Sequence, residues 1–289
     1  MSRPGASDPV YIASRTALLD ALVALGPHAR HAIVIGAHAV YLRAGSAHVA
    51  IAEATKDSDI AIDPRSIADM PHIEDAMSSG GFRRHDNGQP GMWLADGDIP
   101  VDLMVAEAVA GPSASQRRGW RKPPHNKNAV RRARGIEACL VDHALLSITA
   151  LDPTDTRVIN ARVAGPAALI VAKTHKIAER LAARDAAVAA GGKTTSDRVK
   201  PKDAHDIYRI FQAIDTDLLA DSIRALLRAE VCRTVTTESI KHLREMFNTR
   251  TAEGALLAGA AEAGVGDPDL VASSVALLTR DLLAELSEL

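Results

Sequence analysis

The chain has 289 residues, of which 47% are hydrophobic and 24% are charged, which is ordinary for a soluble globular protein of one large domain or two average ones. Its formal net charge of −2 excludes a polycation, so any affinity for nucleic acid must come from a local basic patch. The two cysteines, Cys139 and Cys232, lack a metal-type spacing, which argues against a cysteine zinc site and a disulfide framework. Without a visible signal peptide or a run of about 20 apolar residues, the sequence predicts a cytoplasmic protein that does not enter a membrane.

The first predicted elements are a helix, a strand and a second helix. Apolar residues at helical spacing predict a helix over residues 14–25. A run rich in β-branched residues predicts a buried strand over 31–36, and a helix is predicted to begin at Gly36. A glycine between a strand and a helix leaves free backbone N–H groups at the helix N-terminus, where a phosphate is favoured. The alternative is a tight turn without a ligand.

Residues 55–63 alternate carboxylates with small or apolar residues, which predicts a strand. Asp57 and Asp59 then lie on one face, because strand residues two apart point the same way. Two like charges at that spacing repel each other. A divalent cation between them would remove this cost, and carboxylate oxygens suit Mg²⁺ or Mn²⁺. The pair is therefore a candidate metal clamp, with two solvated surface carboxylates as the alternative.

The following segments predict a helix and several strands. Residues 66–79 are predicted to be helical, and 82–85 and 92–95 to form two strands around an Asn87-Gly88 turn. Residues 98–105 predict an apolar strand that contains Asp102. A buried carboxylate requires a partner, which could be a metal ion shared with the Asp57/Asp59 pair or an arginine.

Residues 117–134 contain eight lysines and arginines and no acidic residue. Such a segment can follow a phosphate backbone, with Trp120 offering a face on which a base can stack. The alternative is a solvated basic loop. The candidate RNA-binding residues are Arg117, Arg118, Arg121, Lys122, Arg131 and Arg132.

Two more strands are predicted over residues 138–150 and 157–163, after which the pattern becomes helical. A long helix over 166–181 places Lys173 on its apolar face, so that either its stem extends to solvent or its charge is used. Arg180 follows seven residues later, near the same face. After a predicted loop over 182–199, another helix carries two acids near its N-terminus, Asp203 and Asp206. Helical hairpins without a catalytic signature are predicted for the rest of the chain.

This order of motifs resembles the polymerase-β nucleotidyltransferase superfamily. The matching residues are Ile35-Gly36-Ala37, Asp57-Ser58-Asp59 and Asp102. The spacing of Lys173 and Arg180 and the later segment Lys202-Asp203-Ala204-His205-Asp206 resemble a narrower group. These are the AbiEii-like nucleotidyltransferase toxins of bacterial toxin–antitoxin pairs, which include the MenT toxins of mycobacteria.

The resemblance implies an α+β fold, with a nucleotidyltransferase core of mixed sheet and flanking helices followed by a mainly helical C-terminal domain. The catalytic domain would occupy residues 1–164 and the helical domain 165–289. The implied activity is Mg²⁺- or Mn²⁺-dependent transfer of nucleotides from an NTP to the 3′ end of tRNA, which would block translation. A cognate antitoxin protein would be its partner. The alternatives are an antibiotic-type small-molecule nucleotidyltransferase and a non-catalytic protein that keeps the fold.

The resemblance also implies roles for individual residues. The metal ligands would be Asp57, Asp59 and Asp102. The nucleotide-binding residues would be Gly36, Ala37, Lys173 and Arg180. Either Asp203 or Asp206 would orient Lys173 or contact the nucleotide. The family often has serine where this chain has Ala37, so phosphate binding would depend on the backbone or on His38. Thr55 is a candidate regulatory phosphorylation site, because a phosphate there would add negative charge beside the metal ligands.

Overall fold

The structure is a computed structural model, and it describes residues 8–45, 55–85, 89–111, 119–120, 122–191 and 199–287. The strands are β1 (Ala32–Ile35), β2 (Ser58–Ile62), β3 (Arg83–Arg84), β4 (Met92–Leu94), β5 (Pro100–Ala106), β6 (Arg131–Ala133), β7 (His143–Thr149) and β8 (Val158–Ala164). The α-helices are α1 (Pro9–Ala24), α2 (Gly36–Ala44), α3 (Ile73–Ser79), α4 (Pro166–Ala189), α5 (Pro201–Ala213), α6 (Thr216–Arg228), α7 (Arg233–Phe247), α8 (Glu253–Ala260) and α9 (Pro268–Ser287).

The strands form one mixed sheet in the order β3-β4-β5-β2-β1-β8-β7, and β6 pairs with β5 beyond the short β4. The pairs β1/β8, β2/β5 and β5/β6 are parallel, whereas β1/β2, β3/β4, β4/β5 and β7/β8 are antiparallel. From α4 onward, the described elements are all helices. The prediction of an α+β fold with a mixed sheet and a mainly helical C-terminal region is thus confirmed at that level.

The centre of the sheet is apolar on both faces, as expected for strands that are covered on two sides. All four residues of β1 are buried, and β2 and β5 contribute further buried aliphatic side chains. Helix α1 packs against β2 and β5, and α2 packs against β1, β2, α4 and α5. The buried apolar residues form one cluster that extends from α1 into α9. The division at residue 164 stays a prediction.

Several predicted elements begin later in the structure. The strand predicted over 55–63 is reduced to β2, so the prediction that Asp57 shares a strand face with Asp59 is wrong, because the chain enters the sheet only at Ser58. The predicted helix over 66–79 is reduced to α3, because Pro71 has no N–H with which to continue a helix through this segment. The predicted strand over 138–150 is reduced to β7. Its first part is instead a 3₁₀ turn over Glu137–Leu140, in which the buried Glu137 carboxylate accepts a hydrogen bond from the N–H of Gly135.

Other boundaries differ for local reasons. The loop predicted from residue 182 is wrong at its start, because α4 continues to Ala189 through an alanine-rich stretch, and alanine is the strongest helix former. Strands β3 and β4 pair antiparallel as predicted, while Asn87 and Gly88 of the predicted turn lie outside the described residues. None of the helices in the described ranges has the length and apolar character needed to cross a bilayer.

Candidate active site

The sheet brings carboxylates from two strands together. Asp59 of β2 and Asp102 of β5 are register partners in a parallel pair, so their side chains lie next to each other on one face. Asp57 comes directly before β2, and its charge raises the pKa of both other carboxyls, which indicates that it is close to them. On the other side of β2, Ile35 pairs with Asp59, so the first residue of α2, Gly36, lies against the carboxylates.

Gly36 makes room for Asp59. Its φ is +66°, and a Cβ built on it would lie 2.2 Å from Oδ2 of Asp59. In the part of the chain that the structure describes, no side chain caps the first turn of α2. Gly36 and the buried Ala37 therefore bring uncapped backbone N–H groups next to the carboxylate face, and the anion-binding role of this turn stays a prediction.

Replacement of Gly36 by alanine is expected to lower both stability and function, since the new Cβ would displace Asp59. Gly81 is the matched control, because its φ is +86° and nothing lies within 4 Å of a Cβ built there. Both variants place alanine at positive φ, which costs about 1 kcal/mol. Urea unfolding should therefore show a larger loss for Gly36→Ala than for Gly81→Ala. Equal losses would mean that the contact with Asp59 is unimportant.

The three carboxylates are electrostatically unequal. Burial is the main cause that raises the pKa of Asp59, to about 6, and the charge of Asp57 raises it further. Burial also raises the pKa of Asp102, against the opposing charge of Arg131. For Asp57 the effect of burial is outweighed by the Thr55 hydrogen bond and nearby lysines, so its pKa lies below the ordinary value. The carboxyl is desolvated on the side that faces the protein, but Asp57 as a residue stays exposed, so solvent moderates its shift.

Asp102 has both a partner and an unused oxygen. Nη2 of Arg131 donates a hydrogen bond of 3.2 Å to Oδ2 of Asp102, so this carboxylate has the paired arginine that was predicted as an alternative to a metal. Its Oδ1 is buried and has no hydrogen-bond partner among the described residues. Among those residues, no three His, Cys, Asp or Glu side chains are gathered closely enough to form a complete metal site. A divalent cation would nevertheless give the free Oδ1 of Asp102 a partner and relieve the repulsion that Asp59 experiences from its neighbours. The chemistry of these residues therefore fits a divalent cation.

A buried ion-pair cluster joins α4 to α5. Nζ of Lys173 donates to Oδ1 of Asp203 at 2.7 Å and to Oδ2 of Asp206 at 2.5 Å, and all three side chains are at most 4% exposed. Arg180 and Lys176, which lie on the same face of α4, also contact Asp203. The sequence left two alternatives for Lys173: its stem could extend to solvent, or its charge could be paired inside the protein. The structure shows the second, and both Asp203 and Asp206 orient the ammonium group.

Burial lowers the pKa of Lys173, but the two carboxylates outweigh this and raise it above its ordinary value. Burial in turn raises the pKa of Asp203, while Lys173, Lys176 and Arg180 lower it to a net value below the ordinary one. Lys173 therefore stays protonated at every physiological pH. Its ammonium group has three N–H donors, of which the two acids take two, so one remains for a further ligand.

Two cations near the carboxylates, Lys176 and Lys202, were given no role by the sequence analysis, although Lys202 belongs to the matching segment 202–206. Lys176 lies one turn after Lys173 with a 40% exposed side chain, and its charge lowers the pKa of all three clustered carboxyls. Lys202, half-buried in the first turn of α5, lowers the pKa of Asp57 in the same way. Burial lowers the pKa of Lys202 itself, opposed by Asp206. Lys176 could have been predicted from its position, because a residue three places after Lys173 lies on the same face of the helix.

Two predicted side chains prove to be buried. His38 is 1% exposed and contacts Arg15 and Ser14 through its two ring nitrogens, so the suggestion that it grips a phosphate is wrong. Thr55 is 1% exposed, and its hydroxyl donates to Oδ1 of Asp57 at 2.9 Å. It is therefore adjacent to the carboxylates, as predicted, but phosphorylation would first require this segment to open.

The described part of the basic segment is folded back onto the protein. Nζ of Lys122 donates to the carbonyl of Pro64, and Arg132 donates to the carbonyls of Ala110 and Gly111. Trp120 is 2% exposed and stacks on His125, so its predicted role as a base-stacking surface is wrong. The remaining candidate RNA-binding residues lie outside the described residues: Arg117, Arg118 and Arg121.

Comparison with protein-family models, with curated proteins and with solved structures finds no match for this chain. Its function therefore has to be inferred from its own residues.

Proposed function

We propose that this protein is a divalent-metal-dependent nucleotidyltransferase that moves a nucleoside monophosphate from an NTP to an acceptor hydroxyl. The observation that carries the proposal is the pairing of Asp59 with Asp102 directly beside the Gly36 turn. Acidic side chains on adjacent strands, next to uncapped helix N–H groups, combine a cation site with an anion site. That combination suits a metal-bound triphosphate.

The reaction is an in-line displacement at the α-phosphate, in which the acceptor oxygen forms the new bond to phosphorus and pyrophosphate leaves. A divalent cation, when bound, neutralises charge on the phosphates and favours deprotonation of the acceptor hydroxyl. Asp57, Asp59 and Asp102 would hold it together with oxygens of the triphosphate, because the carboxylates alone do not form a complete site among the described residues. In the proposed site the N–H groups at Gly36 face a phosphate, and Lys176 and Lys202 balance the remaining charge of the triphosphate. Lys173 holds α4 against α5 and keeps these cations in place.

The acceptor proposed from the family resemblance is the 3′ end of tRNA, which would make the protein a toxin controlled by an antitoxin. A small hydroxyl-bearing acceptor is the second candidate. One observation favours it: in the described part of the basic segment, Lys122, Arg131 and Arg132 are bonded to the protein itself. Arg131 is also unsuitable for testing RNA binding, since its removal would alter Asp102. Lys127 is exposed and suits that test.

The central test is incubation of the protein with Mg²⁺ and each α-labelled NTP, with total tRNA in one arm and small hydroxyl-bearing antibiotics in another. We expect label to reach one class of acceptor, and we expect EDTA to abolish the transfer. Asp57→Ala should be inactive, with a loss of roughly 10³-fold or more if a metal ligand is removed. Asp69→Asn is the control, because Asp69 is an exposed carboxylate outside the cluster.

Label on tRNA would support the toxin function, and Lys127→Ala should then reduce the dependence of tRNA labelling on salt. Label on small acceptors alone would support the second candidate. Equal activity of wild type and Asp57→Ala, or transfer that survives EDTA, would contradict the proposed function itself.

A further inference from the structure

A buried series of hydrogen bonds links α1 to the segment before β2. Nε of Arg15 donates to Nδ1 of His38 at 3.3 Å, and Nε2 of His38 lies 3.1 Å from the hydroxyl of Ser14. That hydroxyl lies 3.0 Å from the carbonyl oxygen of Thr55, whose own hydroxyl donates to Asp57. Ser14, Arg15 and His38 are each at most 3% exposed. Bulk water therefore does not compete for these bonds.

The guanidinium of Arg15 sets the direction of the series, because it can only donate. His38 must then accept at Nδ1 and carry its proton on Nε2, from which it donates to Ser14. The proton of Ser14 is left to donate to a carbonyl, either that of Thr55 at 3.0 Å or that of Tyr11 at 3.1 Å. The neutral imidazole is favoured by burial and then by the charge of Arg15, which hold the pKa of His38 well below its ordinary value.

Ser14 contacts the chain on both sides of Asp57. Its hydroxyl lies 3.0 Å from the carbonyl oxygen of Thr55, two residues before Asp57, and shares its proton between that oxygen and the carbonyl of Tyr11. Its backbone carbonyl accepts a hydrogen bond of 2.8 Å from the hydroxyl of Ser58, the residue directly after Asp57. The Tyr11 ring stacks on His38 with centroids 5.2 Å apart and covers the network. A serine on α1 thus restrains the four residues that carry the exposed carboxylate.

We propose that Ser14, oriented by His38 and Arg15, is a positioning residue for the carboxylate of Asp57. The inference rests on the proposed function, in which Asp57 is a metal ligand. Asp57 is exposed and precedes β2, so the sheet does not determine its conformation. Ser14 and Thr55 do so instead. By donating to Oδ1, Thr55 orients the carboxylate, whose two oxygens both keep lone pairs for a cation.

The test compares Ser14→Ala with wild type in two measurements: the affinity for Mn²⁺, by calorimetric titration, and the steady-state kinetics of nucleotidyl transfer. Changes to residues that orient metal ligands typically cost roughly 10–100-fold in metal affinity or activity. We expect a loss of that size in Mn²⁺ affinity and kcat, with a smaller change in KM for the NTP.

Two further variants separate positioning from general destabilisation. Ser239→Ala also removes a buried serine hydroxyl, which here bonds to Thr174 at 2.8 Å, and it should weaken the fold without changing Mn²⁺ affinity. His38→Gln keeps one acceptor and one donor, so it should retain more Mn²⁺ affinity than His38→Leu.

The outcomes distinguish failure of the positioning role from failure of the proposed function. Wild-type Mn²⁺ affinity and kcat in Ser14→Ala would overturn the positioning role and leave the proposed function intact. If wild type binds Mn²⁺ but transfers no nucleotide, the proposed function fails, while the Mn²⁺ affinities of the variants still decide whether Ser14 positions Asp57. Equal losses of Mn²⁺ affinity in Ser14→Ala and Ser239→Ala would mean that Ser14 is only a structural residue. A wild type that does not bind Mn²⁺ would overturn both proposals.

Discussion

Replacement of Asp59 by asparagine is expected to abolish nucleotidyl transfer and, at neutral pH without metal, to stabilise the fold. The neutral amide removes both the proposed metal ligand and the repulsion among three carboxylates. Burial and the charges of Asp57 and Asp102 raise the pKa of Asp59 to about 6, from an ordinary 3.8. A shift of one unit corresponds to about 1.4 kcal/mol, and partial exposure of the side chain reduces it, so we expect a gain of about 1–2 kcal/mol.

The gain should depend on pH in a defined direction. Because the pKa is higher in the folded state, folding is favoured by protonation of Asp59, and this contribution is complete below about pH 3.8. Wild type loses this stabilising contribution as the pH rises to about 6, because Asp59 then ionises in the folded protein. The asparagine variant has no carboxyl to ionise, so its stability does not fall in this way. The difference in unfolding free energy should therefore be small near the lower value and reach its maximum above the higher one.

Urea unfolding, followed through the buried Trp93 and Trp120, measures this difference. Asp69→Asn, which neutralises an exposed carboxylate, should change the unfolding free energy by less than about 0.5 kcal/mol. Added Mg²⁺ should stabilise wild type more than Asp59→Asn, because only wild type retains the complete set of carboxylates. An Asp59→Asn protein that is no more stable than wild type at neutral pH would contradict the described repulsion.

Replacement of Lys173 by methionine is expected to be the most destabilising of the proposed single substitutions. It leaves Asp206 buried without the ammonium that it contacts at 2.5 Å. Asp203 would keep Arg180 and Lys176. Removal of one member of a buried ion pair typically costs about 3–5 kcal/mol, because the other charge remains desolvated.

A second substitution shows whether Lys173 serves only the fold. Lys173→Met combined with Asp206→Leu replaces the pair by apolar groups and should recover most of the lost stability in urea unfolding. We expect transfer to stay reduced by at least about tenfold, because the buried positive charge that Lys173 brings to the proposed phosphate site is gone. Recovery of activity together with stability would make Lys173 a purely structural residue.

Lys241→Ala is the control for loss of a lysine. Its ammonium lies 3.7 Å from Glu245 on the surface, with side chains 70% and 55% exposed. Exposed pairs of this kind contribute about 0–1 kcal/mol. If Lys241→Ala lowered the free energy of unfolding as much as Lys173→Met does, burial would not control the strength of these ion pairs.

Much of the fold could be predicted because its signals are local. Four buried β-branched and aliphatic residues followed by Gly36 predicted β1 and the start of α2, and Pro166 predicted the start of α4. The helix over 66–79 and the loop over 182–199 were wrong in extent for equally local reasons, the missing N–H of Pro71 and the alanines of α4.

The contacts of the site were less predictable, because they join residues that are far apart in sequence. The pattern on α4 indicated that Lys173 needed a partner, but 30 positions separate it from Asp203. Trp120 looked suited to stack on a base because tryptophan in a basic segment is compatible with both an exposed and a buried position. Packing against His125 decided for burial.

By itself the sequence determined the types of the main elements and the residues that carry chemistry, since periodicity, glycine and proline act over a few residues. Only the tertiary structure decided that Asp59 lies beside Asp102, that Arg131 neutralises one oxygen of Asp102, and that Ser14 restrains the chain around Asp57. Strand register and buried hydrogen bonds depend on which distant segments pack together, and that choice is made by the whole core rather than by any one stretch of chain.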